Sequence, residues 1–167
     1  GVATSNWSNT VPGTYSSQGI ATNYSFLPAQ GLTFTWTPPV GCQAPTAQPT
    51  NLSLTNTGII INASFTAASP AADRYLVLRN LAGTTPTTPV NGTIYTTGQN
   101  TDLNSYVAYY GTATSFENNY NHGIRGNNQY VYTIYAVSSN CTGGPVYNTT
   151  APLTGTITNC PATVNSI

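Results

Sequence analysis

The sequence predicts an all-β sandwich, on three observations. Its best-patterned runs alternate with a two-residue period, the repeat of a strand. No stretch sustains the 3.6-residue period of a helix, and Thr, Val, Ile and Tyr dominate the patterned runs. From Cys42 onward, turn residues punctuate the chain at the short intervals of a sandwich.

Taken in order, residues 1–41 read as a distinct N-terminal arm, with strand-like pieces "ATNYSFL" and "LTFTWT" joined through "PAQG" and closed by a Pro-Pro-Val-Gly break. Residues 42–159 read as the sandwich, and 160–167 as a tail or the start of a next linker. The expected strands are 50–55, 59–66, 74–80, 92–97, 105–111, 113–118, 129–138 and 146–158. Turn chemistry separates them at Thr57-Gly58, Ser69-Pro70, Gly111-Thr112 and Gly143-Gly144-Pro145. Asn91-Gly92 is a strong hairpin signal ahead of "TIYTT".

Two strands are apolar on both faces. In "QYVYTIYAVS" one face carries Tyr130, Tyr132, Ile134 and Ala136, and the other Val131, Thr133, Tyr135 and Val137. In "RYLVLRN", Tyr75, Val77 and Arg79 alternate with Leu76 and Leu78. A sheet greasy on both sides must be covered on both sides. At about 1.5–3 kcal/mol for each large aliphatic side chain buried, an outer face of Leu76, Leu78, Val131 and Tyr135 is costly to leave wet. The arm is the expected cover, or a strand donor to a neighbouring copy, through Tyr24, Phe26, Phe34 and Trp36.

Composition narrows the function. Charged residues make up 4% of the chain against about a quarter in ordinary globular proteins, with net charge +0 and no lysine. There is no basic patch for phosphates, so nucleic acid is excluded as a partner. Apolar residues still make up 39%, enough for a core and too many for a disordered chain. No apolar run approaches membrane-spanning length. Near-zero charge leaves little repulsion between copies, which suits an extracellular structural protein. A secreted chain is then expected to have lost its signal, or to carry it upstream of Gly1. The seven Asn-x-Ser/Thr sequons fit the Asn- and Thr-rich composition and carry no argument.

The stretch "GIRGNNQYVYTIYAVSSN" resembles the E–F corner and strand F of fibronectin type III domains. An aliphatic residue, Ile124, precedes Tyr130 by six positions, and Tyr132, Ile134 and Ala136 continue the alternation. "AADRYLVLRN" resembles strand C and "PTNLSLT" the opening strand, so the likeness spans about residues 42–159. Two departures stand out: Phe65 replaces the usual strand-B tryptophan, and residues 81–106 are extra. The resemblance implies an immunoglobulin-like core of Phe65, Tyr75, Val77, Ile124, Tyr130, Tyr132, Ile134 and Ala136. It also implies that the Tyr130 hydroxyl bonds back to the backbone upstream.

In that topology the start of the first strand and the F–G loop share one end of the sandwich. A Cys42–Cys141 disulfide is implied, with Cys160 free or bridging to another module. By the chain-entropy model, closing a ~100-residue loop contributes about 4–5 kcal/mol at most. "CQAPTAQPTNLSLT" and "SNCTGGPVYNTTAPLTG" are similar to fibronectin-like repeats of large secreted surface proteins of Bacteroidota. "VGCQAPT" and "TNCPATV" echo each other like two module junctions.

Catalytic chemistry finds little support. Asp73, Asp102, Glu117 and His122 form no spacing that joins two carboxylates on one bond or ligates a metal, so no cofactor or metal is expected. Trp7, Trp36, Tyr106, Tyr109 and Tyr110 are the residues of a sugar-stacking platform, if the strands bring them together. The expected function is a non-catalytic structural subunit or module at the cell surface, joined to copies of itself or to neighbouring modules as a fibre or sheath. The alternative is an adhesin or carbohydrate-binding module with glycan partners.

Overall fold

Along Ile61–Thr66 the residues Ile61, Ala63 and Phe65 are buried while Asn62, Ser64 and Thr66 are exposed, the signature of a strand with one wet face. The computed structural model describes residues 42–58, 60–101 and 105–159, all within the compact unit that opens at Cys42. The arm residues Tyr24, Phe26, Phe34 and Trp36, together with Trp7, Asp102 and Cys160, lie outside the described residues.

The strands are β1 (Thr50–Asn56), β2 (Ile61–Thr66), β3 (Arg74–Leu81), β4 (Ser105–Gly111), β5 (Ser115–Asn118), β6 (Gln129–Ser138), β7 (Val146–Tyr147) and β8 (Leu153–Thr158). A 3-10 turn, Tyr120–His122, separates β5 from β6. They form two antiparallel sheets, β1-β2-β5 and β4-β3-β6 with β7 and β8 both on the far side of β6. Between the sheets sits the main core: Ile61, Phe65, Tyr75, Val77, Ile124, Tyr130, Tyr132, Ile134 and Ala136. Phe65 packs edge-on against Tyr75 at 4.9 Å. Cys42 and Cys141 are joined by a disulfide with Cα atoms 5.4 Å apart, tying the segment before β1 to the loop after β6.

The last expected strand, 146–158, is broken in two. Between β7 and β8 the Gln48 side chain takes over the edge of β6. Its Oε1 accepts the Ala136 N–H at 2.9 Å, and its Nε2 donates to the carbonyls of Asn148 and Thr150 at 2.7 and 3.1 Å. Ala136 is wholly buried, so its amide needs that partner.

The outer face of the larger sheet is covered from within the sandwich unit. Leu76, Leu78, Val107, Tyr135 and Val137 form a second buried cluster with Tyr95 and Tyr147. Tyr95 comes from the extra segment between β3 and β4, and it meets Tyr147 edge-on at 5.6 Å. That segment is pinned at several points. The Gly92 N–H donates to the Pro145 carbonyl at 2.8 Å. The Tyr147 N–H donates to Asn91 Oδ1 at 2.9 Å and its hydroxyl to the Thr93 carbonyl at 2.7 Å. Gly92 and Gly144 run so close that a Cβ on Gly144 would stand 2.6 Å from the Gly92 oxygen.

The expected strand over 92–97 is therefore absent. A turn forms at Asn91-Gly92, with Thr93 N–H to Val90 C=O at 3.1 Å, but only Gly92 has a positive φ, of 84°. That is the pattern of a type II turn, which does not feed a two-residue hairpin. The chain beyond it spends its hydrogen bonds on β7 and β4, so no ladder forms.

Candidate functional site

Alternation along β3 turns Tyr75, Val77 and Arg79 toward the space between the sheets. Arg79 is thus a cation carried into the interior, with 6% of its surface exposed. In register it sits opposite Tyr106 on β4 and Tyr132 on β6. Its guanidinium lies over the Tyr106 ring at 4.4 Å and the Tyr130 ring at 5.2 Å, within cation–π range. Nη1 donates to Asn118 Oδ1, and Nη2 donates to the His122 carbonyl at 2.7 Å.

The loop between β5 and β6 is shaped around this group. The 3-10 turn presents the His122 carbonyl, and Gly123 follows with φ of 78° and only 3.4 Å between a built Cβ and Arg79 Nη2. Asn118, wholly buried at the end of β5, also accepts the Tyr132 hydroxyl at 3.1 Å. No carboxylate among the described residues pairs with Arg79. Burial pushes the guanidinium below its ordinary value, opposed by the surrounding tyrosines. Burial likewise pushes the Tyr132 hydroxyl up, with Arg79 opposing. The Tyr130 hydroxyl accepts the Arg125 N–H at 2.8 Å, a bond back to the chain upstream.

That strand order, with β1-β2-β5 facing β4-β3-β6-β7/β8 and a tyrosine closing the corner before β6, decides the architecture. The fold is a fibronectin type III-like sandwich. The chain is similar to a fibronectin type III domain of human collagen XX, at 21% identity over 72% of this chain and 99% of that one, with a TM-score of 0.42. It is also similar to a fibronectin type III-like protein from Clostridium thermocellum, at 25% identity over 63% of this chain and 86% of that one, with a TM-score of 0.37. No family model matches the chain. No curated protein matches it either.

Around Arg79 the fibronectin-like sandwich opens a cleft of about 270 Å³, lined by Asn80, Asn100, Tyr106, Gly123, Arg125 and Asn128 among others. Asn80 is 3% exposed and its Oδ1 has no hydrogen-bond partner.

The described residues weighed for catalysis, Asp73, Glu117 and His122, do not converge there. Asp73 accepts the Ser139 N–H at 2.9 Å, and Glu117 accepts from Asn119 Nδ2 at 3.3 Å. His122 uses Nδ1 to accept the Asn119 N–H at 3.4 Å. Among the described residues no three His, Cys, Asp or Glu side chains cluster as metal ligands. The three tyrosines of β4 do not share a platform. Tyr106 lies under Arg79, Tyr109 stacks on Phe116 at 5.6 Å, and Tyr110 packs on the outer cluster under Arg74.

Leu76, Leu78 and Tyr135, expected as an assembly surface, are buried beneath the extra segment and Tyr147, while Val131 is half-buried. The Arg79 cleft was not anticipated from the sequence. The signal for it was present in the register: Arg79 falls on the core-facing side of its strand, level with tyrosines on both neighbours.

Proposed function

We propose that the chain is a non-catalytic structural module of a large extracellular surface protein, of the kind its Bacteroidota-like wording suggests. It spaces and aligns neighbouring modules. The observation that carries this reading is the buried outer face: the sandwich covers its second apolar surface with its own segment, and so is a closed unit. Its sheet edges are blunted in the same spirit. β4 is capped by Gly98 N–H to Val107 C=O at 2.9 Å and Val107 N–H to Gln99 C=O at 2.8 Å. β1 is bulged between Thr50 and Ser53, β5 is only 4 residues long, and the last strand is interrupted. A disulfide across the entry end suits an oxidising compartment and resists pulling.

Contacts between copies, the filament reading, then fall to residues 1–41, with Tyr24, Phe26, Phe34 and Trp36 as their apolar groups. Light scattering of the full chain across a concentration series tests this. A constant monomer mass supports the spacer, and polymers that vanish when residues 1–41 are deleted support a subunit joined by its arm. Polymers that persist without the arm would refute the closed unit.

A further inference from the structure

The extra segment over the outer face is fastened at the one Asn-Gly pair in the sequence, Asn91-Gly92. An asparagine side chain can be attacked at Cγ by the backbone nitrogen of the next residue. Glycine has no Cβ to shield that nitrogen, so the pair is the most reactive such site a chain can carry. Both residues are exposed, and water and base reach them.

The fold holds both reacting groups. The Gly92 N–H donates to the Pro145 carbonyl at 2.8 Å, and Asn91 Oδ1 accepts the Tyr147 N–H at 2.9 Å. Attack requires the Gly92 nitrogen to release its proton and the Asn91 side chain to swing onto it. Both hydrogen bonds must break first, and breaking them unpins the segment from β7 and the loop before it. Reaction and lifting therefore share one opening step.

The product also bears on the segment. Gly92 and Gly144 already touch so closely that a Cβ on Gly144 would stand 2.6 Å from the Gly92 oxygen and 2.8 Å from its Cα. An isoaspartate lengthens the main chain there by one methylene and draws the acceptor of the Tyr147 N–H into the backbone. It also adds a carboxylate to a chain of net charge +0. Tyr95, the ring that covers Leu76 and Leu78, follows only three residues after Gly92.

We propose that Asn91-Gly92 is a self-modification site gated by the extra segment: it deamidates when the segment lifts, and its isoaspartate product keeps the segment from seating again. The bond from the Gly92 nitrogen to Asn91 Cγ forms as the bond from Cγ to Nδ2 breaks. Ammonia leaves with the Gly92 amide proton, and water opens the resulting succinimide to aspartate or isoaspartate. No oxidant or reductant is needed. This goes beyond the spacer reading and does not depend on it, since it concerns a reaction of the chain with water.

The test is mass spectrometry of Asn91 during incubation of the full chain in mildly alkaline buffer, beside a synthetic peptide of residues 87–96. The folded chain is expected to react at least about tenfold more slowly than the peptide. Tyr95→Ala and Tyr147→Phe, which remove the covering ring and the bond to the Thr93 carbonyl, are each expected to speed it at least about threefold. Equal rates in chain and peptide, or parental rates in both variants, would overturn the gating. Amide exchange of the separated isoaspartyl form should show the Gly98 and Val107 amides deprotected and those of β6 unchanged. Asn91→Asp, which adds the charge without the methylene, should keep that protection. Full protection in the isoaspartyl form would overturn the second half of the proposal.

Discussion

Truncating Tyr95 tests the central structural statement, that the extra segment between β3 and β4 is the lid of the outer face. Tyr95 is 6% exposed, yet nearly all its sequence neighbours from Asn91 to Asn100 are exposed. One ring therefore carries most of the contact between segment and sheet. It covers Leu76, Leu78, Val107 and Tyr135, meets Tyr147 at 5.6 Å, and its hydroxyl accepts the Val90 N–H at 3.1 Å. Burying such a ring and then removing it typically costs about 3–5 kcal/mol. The exposed segment can settle partly into the space, so Tyr95→Ala should fall near the lower end, about 3 kcal/mol. Tyr95→Phe keeps the ring and removes only the acceptor for Val90, which should cost about 1 kcal/mol.

Urea unfolding of the full chain reads both values, and amide exchange adds a local readout. The Gly98 and Val107 amides, which bond between the segment and β4, should lose protection in Tyr95→Ala while those of β6 keep theirs. A Tyr95→Ala midpoint within about 0.5 kcal/mol of the parent would refute the reasoning. Some other part of the protein would then be doing the covering.

Two further predictions rest on separate features. Replacing Cys42 and Cys141 together by serine opens a 99-residue separation and should cost at most about 4–5 kcal/mol, read as a fall in urea midpoint that a reducing agent reproduces in the parent; no change on reduction would show the staple to be idle. Stability should also fall at alkaline pH. Tyr132 and Tyr147 are buried and held above their ordinary value of 10.0, chiefly by desolvation. The unfolded chain gives up these protons near pH ~10 while the folded one keeps them, so the contribution is intact below pH ~10 and declines above it. The slope should be about 1.4 kcal/mol per pH unit for each tyrosine, and urea midpoints flat from about pH 9 to about pH 11 would contradict it.

The strands that pack on both faces were the legible part of this fold. The alternation in "QYVYTIYAVS" predicted β6 at 129–138, the bounds it has, and it carried the demand that both faces be covered. What covered the second face was not legible. Residues 82–101 are rich in Thr, Gly and Pro, and their one strand-like run, "GTIYTT", has the local pattern of a strand. Its conformation is decided by distant partners, the Pro145 carbonyl and the Tyr147 side chain, which no local pattern encodes. Arg79 was hidden for a different reason. Charge argues for solvent and register argues for the core; register prevailed because two tyrosine faces, an amide and a carbonyl receive the guanidinium. Where hydrophobic pattern and charge disagree, the neighbours on adjacent strands decide, and those are known only once pairing is known.

The low charge of the chain gives these devices a common cause. Proteins commonly resist association through net repulsion, and a chain with net charge +0 has little of it. Such a sandwich must keep apart by geometry instead. A lid over the second apolar face, a cap along β4, a bulge in β1 and a glutamine wedged into the broken last strand each remove a template on which another copy could build. The argument also runs in reverse. If neighbouring modules associate, they do so through stretches not treated this way, and a substitution that lifts the lid should promote association in proportion to the face it bares. Tyr95→Ala at rising concentration would show it: a destabilised variant that stays monomeric would mean the blunted edges suffice without the lid.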